Sequence, residues 1–340
     1  MHTSNTGKAQ SGFSLIELLI TLAILLTVSA IVLSLTYDMT VRQASVANRS
    51  DMHSSVRSVT EMLQQEITQA GRITFPSPGF TTLTTAVPPN LTCPPPVLGP
   101  GVLSPMTVAD PSFLFDGIRL IVDIGDCQEV VAFDDDDGDG IGTAIFKWDH
   151  LDGAMVRPAG AFGDGILATS TDTTLKMFGD INDNGNMVYV EYVCNPDAAG
   201  GTVTRVEVPW NYVGALPGPQ ILLRNVLPNP PLPDATPVPC FSYQESDSDP
   251  TTPAPDPIPI TVDGVVTNFI FALNVGVTLT AKAEFNDMQT GAEQVETKAL
   301  LNVSPRNVFE AWELASASPS EFGTRRHVQP TPPTITTLAP

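Results

Sequence analysis

The sequence predicts an α+β fold in which a long N-terminal helix carries an antiparallel, β-rich domain. Residues 13–70 contain neither proline nor glycine, which favours one uninterrupted helix. Beyond residue 73, short apolar runs alternate with turn residues, as is typical of strands joined by hairpins. A helix followed by many strands, with no repeat of fixed period, indicates an α+β domain whose sheet packs on the apolar stripe of the helix.

The first half of this helix is apolar enough to cross a membrane. Residues 18–37 carry no charged side chain, and a helix of that length extends about 30 Å, the thickness of the hydrocarbon core of a bilayer. A secretory signal places its small cleavage-site residue after the apolar core. Here Gly12 precedes the core, so we expect residues 13–37 to remain as a membrane-spanning segment.

A single acid, Glu17, lies just before the uncharged run. A charged, unpaired carboxylate near the end of a membrane helix costs about 2–3 kcal/mol. Cleavage after Gly12 would free the α-amino group of Phe13, and that cation could pair with Glu17 in the same chain or in a neighbouring subunit. The alternative is a plain membrane anchor in which the glutamate is accidental.

The segment G-F-S-L-I-E-L-L-I-T-L-A-I-L, which contains Gly12, Phe13 and Glu17, resembles the type IV prepilins. The resemblance implies that residues 1–12 are a leader, cut after Gly12 by a prepilin peptidase that also methylates Phe13. It implies that Glu17 pairs with the terminal amine of a neighbouring pilin during assembly. It also implies a single-pass protein of the bacterial inner membrane that later enters an extracytoplasmic filament.

The second half of the helix, residues 38–72, is amphipathic. Its apolar residues recur at steps of four, three, four, four and three, from Met52 through Val56, Val59, Leu63 and Ile67 to Ala70. Gly71 supplies a stop, and two prolines soon after it prevent continuation.

Residues 73–310 are expected to form an extracytoplasmic β-rich domain. We expect an irregular surface segment at 73–110, then a hairpin of strands 118–124 and 128–133, and a closing hairpin of strands 275–285 and 294–303. Five further strands are expected between these hairpins, at residues 143–148, 187–194, 202–210, 220–226 and 238–244. Residues 247–259 are acidic and proline-rich, which favours a solvated loop. The Ser/Pro/Thr-rich tail, residues 311–340, is expected to be disordered beyond Trp312.

A looser resemblance to PilW-like minor pilins and J-type minor pseudopilins rests on three segments, residues 65–72, 241–243 and 303–307. It implies a pilin-like domain and a minor type IV pilin, a structural subunit within or at the tip of a filament. One alternative is a minor pseudopilin of a type II secretion system. An alternative of another class is a filament-tip adhesin whose insertions at 75–110 and 228–259 touch a surface.

The net charge of −21 provides no basic surface for nucleic acid and disfavours electrostatic docking on anionic lipid. The four cysteines form no C-x-x-C pair, and the four histidines have no zinc-ligand spacing. An even number of cysteines outside the cytoplasm indicates two disulfides with three possible pairings, and four buried free thiols are the alternative. We favour sequential pairing because each pair brackets a proline-rich loop or a hairpin: Cys93 with Cys127, and Cys194 with Cys240.

Two acidic loops are candidate calcium sites. The first matches the pattern D-x-[DN]-x-[DN]-G-x5-E, in which short oxygen side chains surround a hard cation; its ligands would be Asp180, Asn182, Asn184 and Glu191. The alternative is a turn stabilised by local side-chain hydrogen bonds. The second loop offers Asp135, Asp137 and Asp139 without a closing acid, and its alternative is a solvated hairpin tip.

No motif indicates an enzyme. The sequence lacks a G-x-S-x-G elbow and a phosphate-binding glycine loop, and no histidine stands near a serine or cysteine in a catalytic pattern. We therefore expect a structural protein without catalytic residues.

Overall fold

The computed structural model describes residues 14–87, 93, 101–135, 141–246, 257–262, 265–288, 290–316 and 327–338. The chain forms two compact units. One contains Met1–Met52 and Ala283–Gln294, and the other contains His53–Lys282 and Val295–Pro340. The leader, Gly12, Phe13, Asp137 and Asp139 lie outside the described residues.

Three α-helices are described. They are α1 (Leu15–Gln69), α2 (Arg306–Ser316) and α3 (Pro333–Leu338), and a short 3-10 turn covers Gly125–Cys127. Helix α1 ends at Gln69, and the predicted stop residue Gly71 follows with a φ of +81°. A Cβ atom at this position would lie 2.9 Å from Val308 Cγ2, so glycine satisfies both the left-handed backbone and the close packing.

Seventeen strands are described after α1. In chain order they are β1 (Thr81–Thr82), β2 (Val102–Thr107), β3 (Arg119–Val122), β4 (Glu129–Ala132), β5 (Ile141–Phe146), β6 (Met155–Pro158), β7 (Ala161–Phe162), β8 (Thr174–Gly179), β9 (Val188–Asn195), β10 (Gly201–Pro209), β11 (Gln220–Leu227), β12 (Phe241–Glu245), β13 (Ile258–Val262), β14 (Val265–Phe269), β15 (Ala272–Lys282), β16 (Val295–Val303) and β17 (Val328–Gln329).

The strands form one large sheet and several small ones. The large sheet has the order β12-β15-β11-β10-β9-β8. The seventh strand, β16, lies off this order and pairs with β15. A four-stranded sheet has the order β1-β6-β3-β4, and two-stranded pairs join β2 with β5 and β13 with β14. All of these pairings are antiparallel, and β17 pairs in parallel with β7.

The predicted apolar stripe of α1 packs into the core of the larger unit. Val56, Leu63, Ile67 and Ala70 have no exposed surface, and they pack in one cluster with apolar residues of β8 to β12, β15 and β16. Each fully buried aliphatic side chain contributes about 1.5–3 kcal/mol. The predicted α+β layout, a long N-terminal apolar helix followed by an antiparallel β-rich domain, is confirmed.

The predicted hairpins and central strands are present, but the expectation for residues 73–110 is wrong. This segment contains β1 and β2, and it buries Leu83, Val87 and Met106 in a second core cluster. Strand β2 was missed because it contains Pro105, which disfavours a central strand. In the structure Pro105 lies opposite Thr143 in a two-stranded sheet, where proline is tolerated.

The expected disorder of the tail is also wrong for the residues that the structure describes. Gln329 is fully buried, and its side-chain amide donates to the carbonyl oxygens of Arg119 (2.7 Å) and Ala159 (2.6 Å). Ile335 is fully buried in the second core cluster. The composition suggested a solvated tail, but long-range hydrogen bonds and burial hold residues 327–338 in the domain.

Both disulfides have the favoured pairing, Cys93 with Cys127 and Cys194 with Cys240. The first joins residues 34 apart and the second joins residues 46 apart. Closing loops of this size stabilises a fold by about 3–4 kcal/mol in the chain-entropy account.

A buried ion pair fastens α1 to the large sheet. Glu66 accepts hydrogen bonds from Arg205 Nη2 (2.8 Å) and from the Tyr192 hydroxyl (2.6 Å). Arg205 also contacts Glu207 at 2.6 Å, and its side chain is 11% exposed. Glu66 is three residues after Leu63, on the apolar stripe, so its carboxylate requires a partner on the sheet.

We predict that Glu66→Ala destabilises the protein by about 3 kcal/mol, because it leaves Arg205 and Tyr192 without their buried acceptor. Urea unfolding of the detergent-solubilised protein would measure this change. Glu61→Ala is the matched control, since Glu61 pairs with Arg57 on the surface of the same helix and both side chains are more than half exposed. Equal effects of the two substitutions would contradict the assignment.

Candidate functional site

The assembly residue predicted from the sequence, Glu17, lies in the first turn of α1. Its side chain is exposed, as are the apolar side chains that follow it. A carboxylate in the first helical turn interacts favourably with the helix dipole. Phe13 precedes Glu17 by four residues in the sequence and lies outside the described residues.

The apolar part of α1 stays exposed among the residues that the structure describes. It is the one candidate membrane span among the described residues, and none of its most apolar window is buried. The hydroxyl groups of Thr27 and Thr36 donate to the carbonyl oxygens of Ala23 (2.6 Å) and Val32 (2.8 Å), so these polar groups are satisfied within the helix. Glu17 carries the one carboxylate of this segment. An ionised carboxylate has no hydrogen to donate, so it cannot bond to a helix carbonyl oxygen as the threonine hydroxyls do.

The comparison with known protein families identifies this segment. Residues 7–33 match the family model described as the prokaryotic N-terminal methylation motif. The N-terminal segment therefore carries a prepilin-like methylation motif. No curated protein and no solved structure matches the chain.

The prepilin motif and the apolar helix together support a membrane-anchored, single-pass pilin or pseudopilin subunit. The motif also implies processing by a prepilin peptidase and assembly with other pilins. Gly12 and Phe13 lie inside the matched range, on either side of the expected cleavage position.

The first candidate calcium loop is a hydrogen-bonded turn. Asp180 is buried, and its carboxylate accepts from the backbone N–H groups of Asn184 (3.0 Å) and Gly185 (3.2 Å) and from the Thr74 hydroxyl (3.1 Å). The structure therefore brings Asp180 and Asn184 together through the backbone of the loop, as the turn alternative expects.

The other two residues of the pattern have different partners. The Asn182 side chain donates to Glu207 (3.0 Å), and Glu191 on β9 accepts from the Tyr189 hydroxyl (2.7 Å). A cation of the protein itself also faces the loop: Arg72 donates to Asp183, and its Nε atom lies 3.9 Å from Asp180. Calcium would have to compete with this guanidinium group.

The second acidic loop is described only at its start. Asp135 is buried, and its backbone N–H donates to Asp116 (3.2 Å), while Asp137 and Asp139 lie outside the described residues. Within the described ranges, no three His, Cys, Asp or Glu side chains are arranged to hold a metal ion. Calcium binding at either loop stays a prediction.

We predict that millimolar calcium raises the melting temperature of the protein, and that a chelator reverses the shift. A loop with a dissociation constant of about 0.1–1 mM would stabilise the fold by about 1–3 kcal/mol at 10 mM calcium. Arg72→Gln should enlarge the calcium-dependent shift, because it removes the competing cation. Identical melting curves with and without calcium, in both proteins, would contradict the prediction.

The sequence reading missed a buried histidine that lies between two acids. The His150 ring is fully buried; its Nε2 atom lies 2.8 Å from Glu129 and its Nδ1 atom 3.2 Å from Asp123. Glu129 also accepts from the backbone N–H groups of Lys147 (3.0 Å) and Trp148 (3.3 Å). No spacing along the chain signals this contact, because it joins residues more than twenty positions apart.

Both nitrogen atoms of His150 face carboxylates, so both can donate only when the ring is protonated. Burial by itself lowers the pKa of His150, but the hydrogen bonds and negative charges of Glu129 and Asp123 outweigh it, and the pKa is raised above the usual 6.5. A raised pKa in the folded state contributes stability below pH 6.5, and this stability is lost as the pH rises through the folded-state pKa.

We predict that the unfolding free energy decreases as the pH rises above 6.5 towards alkaline values, and that His150→Gln removes this part of the dependence. Urea unfolding at a series of pH values from 6 to 9 measures the unfolding free energy of the unaltered protein and of the His150→Gln variant. If the two profiles have the same slope, another group is responsible for the pH dependence.

Proposed function

We propose that this chain is a minor type IV pilin, a structural subunit that enters an extracytoplasmic filament after cleavage at Gly12 and methylation of Phe13. The observation that carries the proposal is the methylation motif at residues 7–33, followed by an apolar helix that is unburied within the chain. The function is structural, and it needs no catalytic residue.

The role proposed for Glu17 follows from the physics of its surroundings. A carboxylate at the end of an apolar span requires a positive partner, and the segment around it contains no basic side chain between Phe13 and Tyr37. The α-amino group of a processed neighbour supplies a cation at the same depth. Pairing with that amine selects other processed subunits, which is the property that a filament requires.

The minor-pilin assignment rests on the looser likeness of three short segments, residues 65–72, 241–243 and 303–307, and on the helix-and-sheet layout. A minor pseudopilin of a type II secretion system would share all of these features. Recovery of the chain from sheared surface pili favours the pilin, and recovery only from a secretion pseudopilus favours the alternative.

We predict that mass spectrometry of the membrane-extracted protein finds methylated Phe13 at the N-terminus. Gly12→Val should leave the leader attached, because a side chain replaces the small residue at the cleavage position. An intact leader or an unmethylated terminus in the unaltered protein would overturn the proposed processing.

We predict that Glu17→Ala leaves membrane insertion intact, because it makes the span more apolar, and lowers incorporation into filaments. Glu17→Asp is the matched control and should retain part of the incorporation into filaments, since it keeps the negative charge. Quantitative immunoblots of membrane and sheared-filament fractions measure both steps. Unchanged incorporation of Glu17→Ala would contradict the pairing mechanism.

A further inference from the structure

We propose that the cleft between the end of α1 and the loop after β8 binds a small sugar acid, a ligand with one carboxylate and several hydroxyl groups. The open cleft has a volume of about 470 Å³. It is lined by residues of segment 72–79, by Arg157 and Pro158 of β6, and by residues of segment 180–185. Pockets for small molecules have volumes of about 300–1,000 Å³. The proposal adds a binding function that does not depend on the proposed filament role.

Arg157 supplies the positive charge that the carboxylate of the ligand requires. Arg157 is exposed, and its Nη2 atom donates to the neutral Gln128 Oε1 over 3.4 Å. None of the ion pairs among the described residues includes Arg157. A planar guanidinium group binds a carboxylate through two parallel N–H···O hydrogen bonds. Arg157 is therefore the residue that would hold the acidic group of the ligand.

Asp183 favours a ligand that also has hydroxyl groups. Arg72 Nη1 donates to Oδ1 of Asp183, so Oδ2 remains as an acceptor, and the Asp183 side chain is 66% exposed. A carboxylate accepts hydrogen bonds from hydroxyl groups, but it repels a second negative charge nearby. The cleft therefore favours one negative charge combined with O–H donors, and a sugar acid combines these groups.

Other groups in the cleft match a hydroxylated ring. The Oδ1 atom of Asn184 accepts from the backbone N–H of Asn186 (2.9 Å), and the side-chain NH2 group of Asn184 can donate to a ligand oxygen. The exposed hydroxyl group of Ser77 can donate or accept. Pro78 and Pro158 provide apolar surface for the C–H groups of the ring.

The two loops that line the cleft are bonded to each other. The Thr74 hydroxyl donates to Asp180 Oδ2 (3.1 Å), and the backbone N–H of Asp180 donates to the carbonyl oxygen of Arg72 (2.8 Å). Asp180 also accepts from the backbone N–H groups of Asn184 and Gly185. A site that is already ordered loses less conformational entropy when a ligand binds.

Other anions match the cleft less well. Inorganic phosphate is small for this volume, and its second negative charge is disfavoured next to Asp183. An acidic peptide carries several negative charges towards a chain whose net charge is −21. A sugar acid carries one charge, and its hydroxyl groups can bond to the acceptors and donors of the cleft.

Isothermal titration calorimetry of the detergent-solubilised, full-length protein tests the site. Galacturonate is the probe, and galactose is the matched neutral sugar. We expect galacturonate to bind about tenfold more tightly than galactose, because the neutral sugar lacks the charged partner of Arg157. Equal affinities for the two sugars, or no binding of galacturonate, would overturn the proposal without any change to the protein.

Substitutions at Arg157 locate the site. Arg157→Gln should weaken galacturonate binding about tenfold and leave the affinity for galactose unchanged. Arg157→Lys should weaken it less, since it keeps the charge but loses the planar fork. Arg224→Gln is the matched control and should change neither affinity, because Arg224 is exposed on β11 and does not line the cleft. Full galacturonate affinity in Arg157→Gln would overturn the assignment of the site.

The same titrations distinguish the ligand classes. Inorganic phosphate that binds as tightly as galacturonate would overturn the sugar-acid assignment, and so would an acidic peptide that binds more tightly. All of these results leave the proposed processing and assembly standing, because those depend on the N-terminal segment. Conversely, an unprocessed N-terminus would overturn the proposed function and leave galacturonate binding to the cleft intact.

Discussion

One helix in this protein carries apolar surface that needs two different partners, and the rest of the structure depends on how each part is covered. From Val56 to Ala70 the stripe of α1 is buried by strands of the same chain. In the preceding span no part of the most apolar window is buried. The hydrophobic effect favours removing both the stripe and the span from water. The first builds the domain, whereas the second can be covered only by lipid or by other subunits.

The strongly acidic composition imposes a second constraint, since many acids must share a small number of cations. Arg205 contacts both Glu66 and Glu207, His150 lies between Asp123 and Glu129, and Arg72 faces Asp180 and Asp183. In each case one positive group serves two carboxylates. Removal of such a cation leaves two like charges near each other, so these three positions are more sensitive than an ordinary surface pair.

These two constraints relate the domain to the proposed assembly function. The ion pair of Glu66 with Arg205 holds the large sheet on the C-terminal half of α1, while none of the most apolar window of the span is buried.

Much of the architecture could be predicted because it depends on local patterns. The start and end of α1, its apolar stripe and the antiparallel hairpins follow from residue spacing and turn chemistry. The missed elements depend on distant partners. Strand β2 tolerates Pro105 because it belongs to a two-stranded sheet, and residues 327–338 fold because Gln329 finds acceptors on Arg119 and Ala159.

The sequence by itself determined the class of the N-terminal segment, since Gly12, Phe13, Glu17 and the uncharged run lie within one short stretch and need no folded context. The favoured cysteine pairing also followed from the order of the loops. Only the tertiary structure decided how the buried charges are shared, because Glu66 meets Arg205 and His150 meets Glu129 across long stretches of chain. It likewise decided that Asp180 stabilises a turn beside Arg72, since the same residue types serve a calcium loop and a hydrogen-bonded turn.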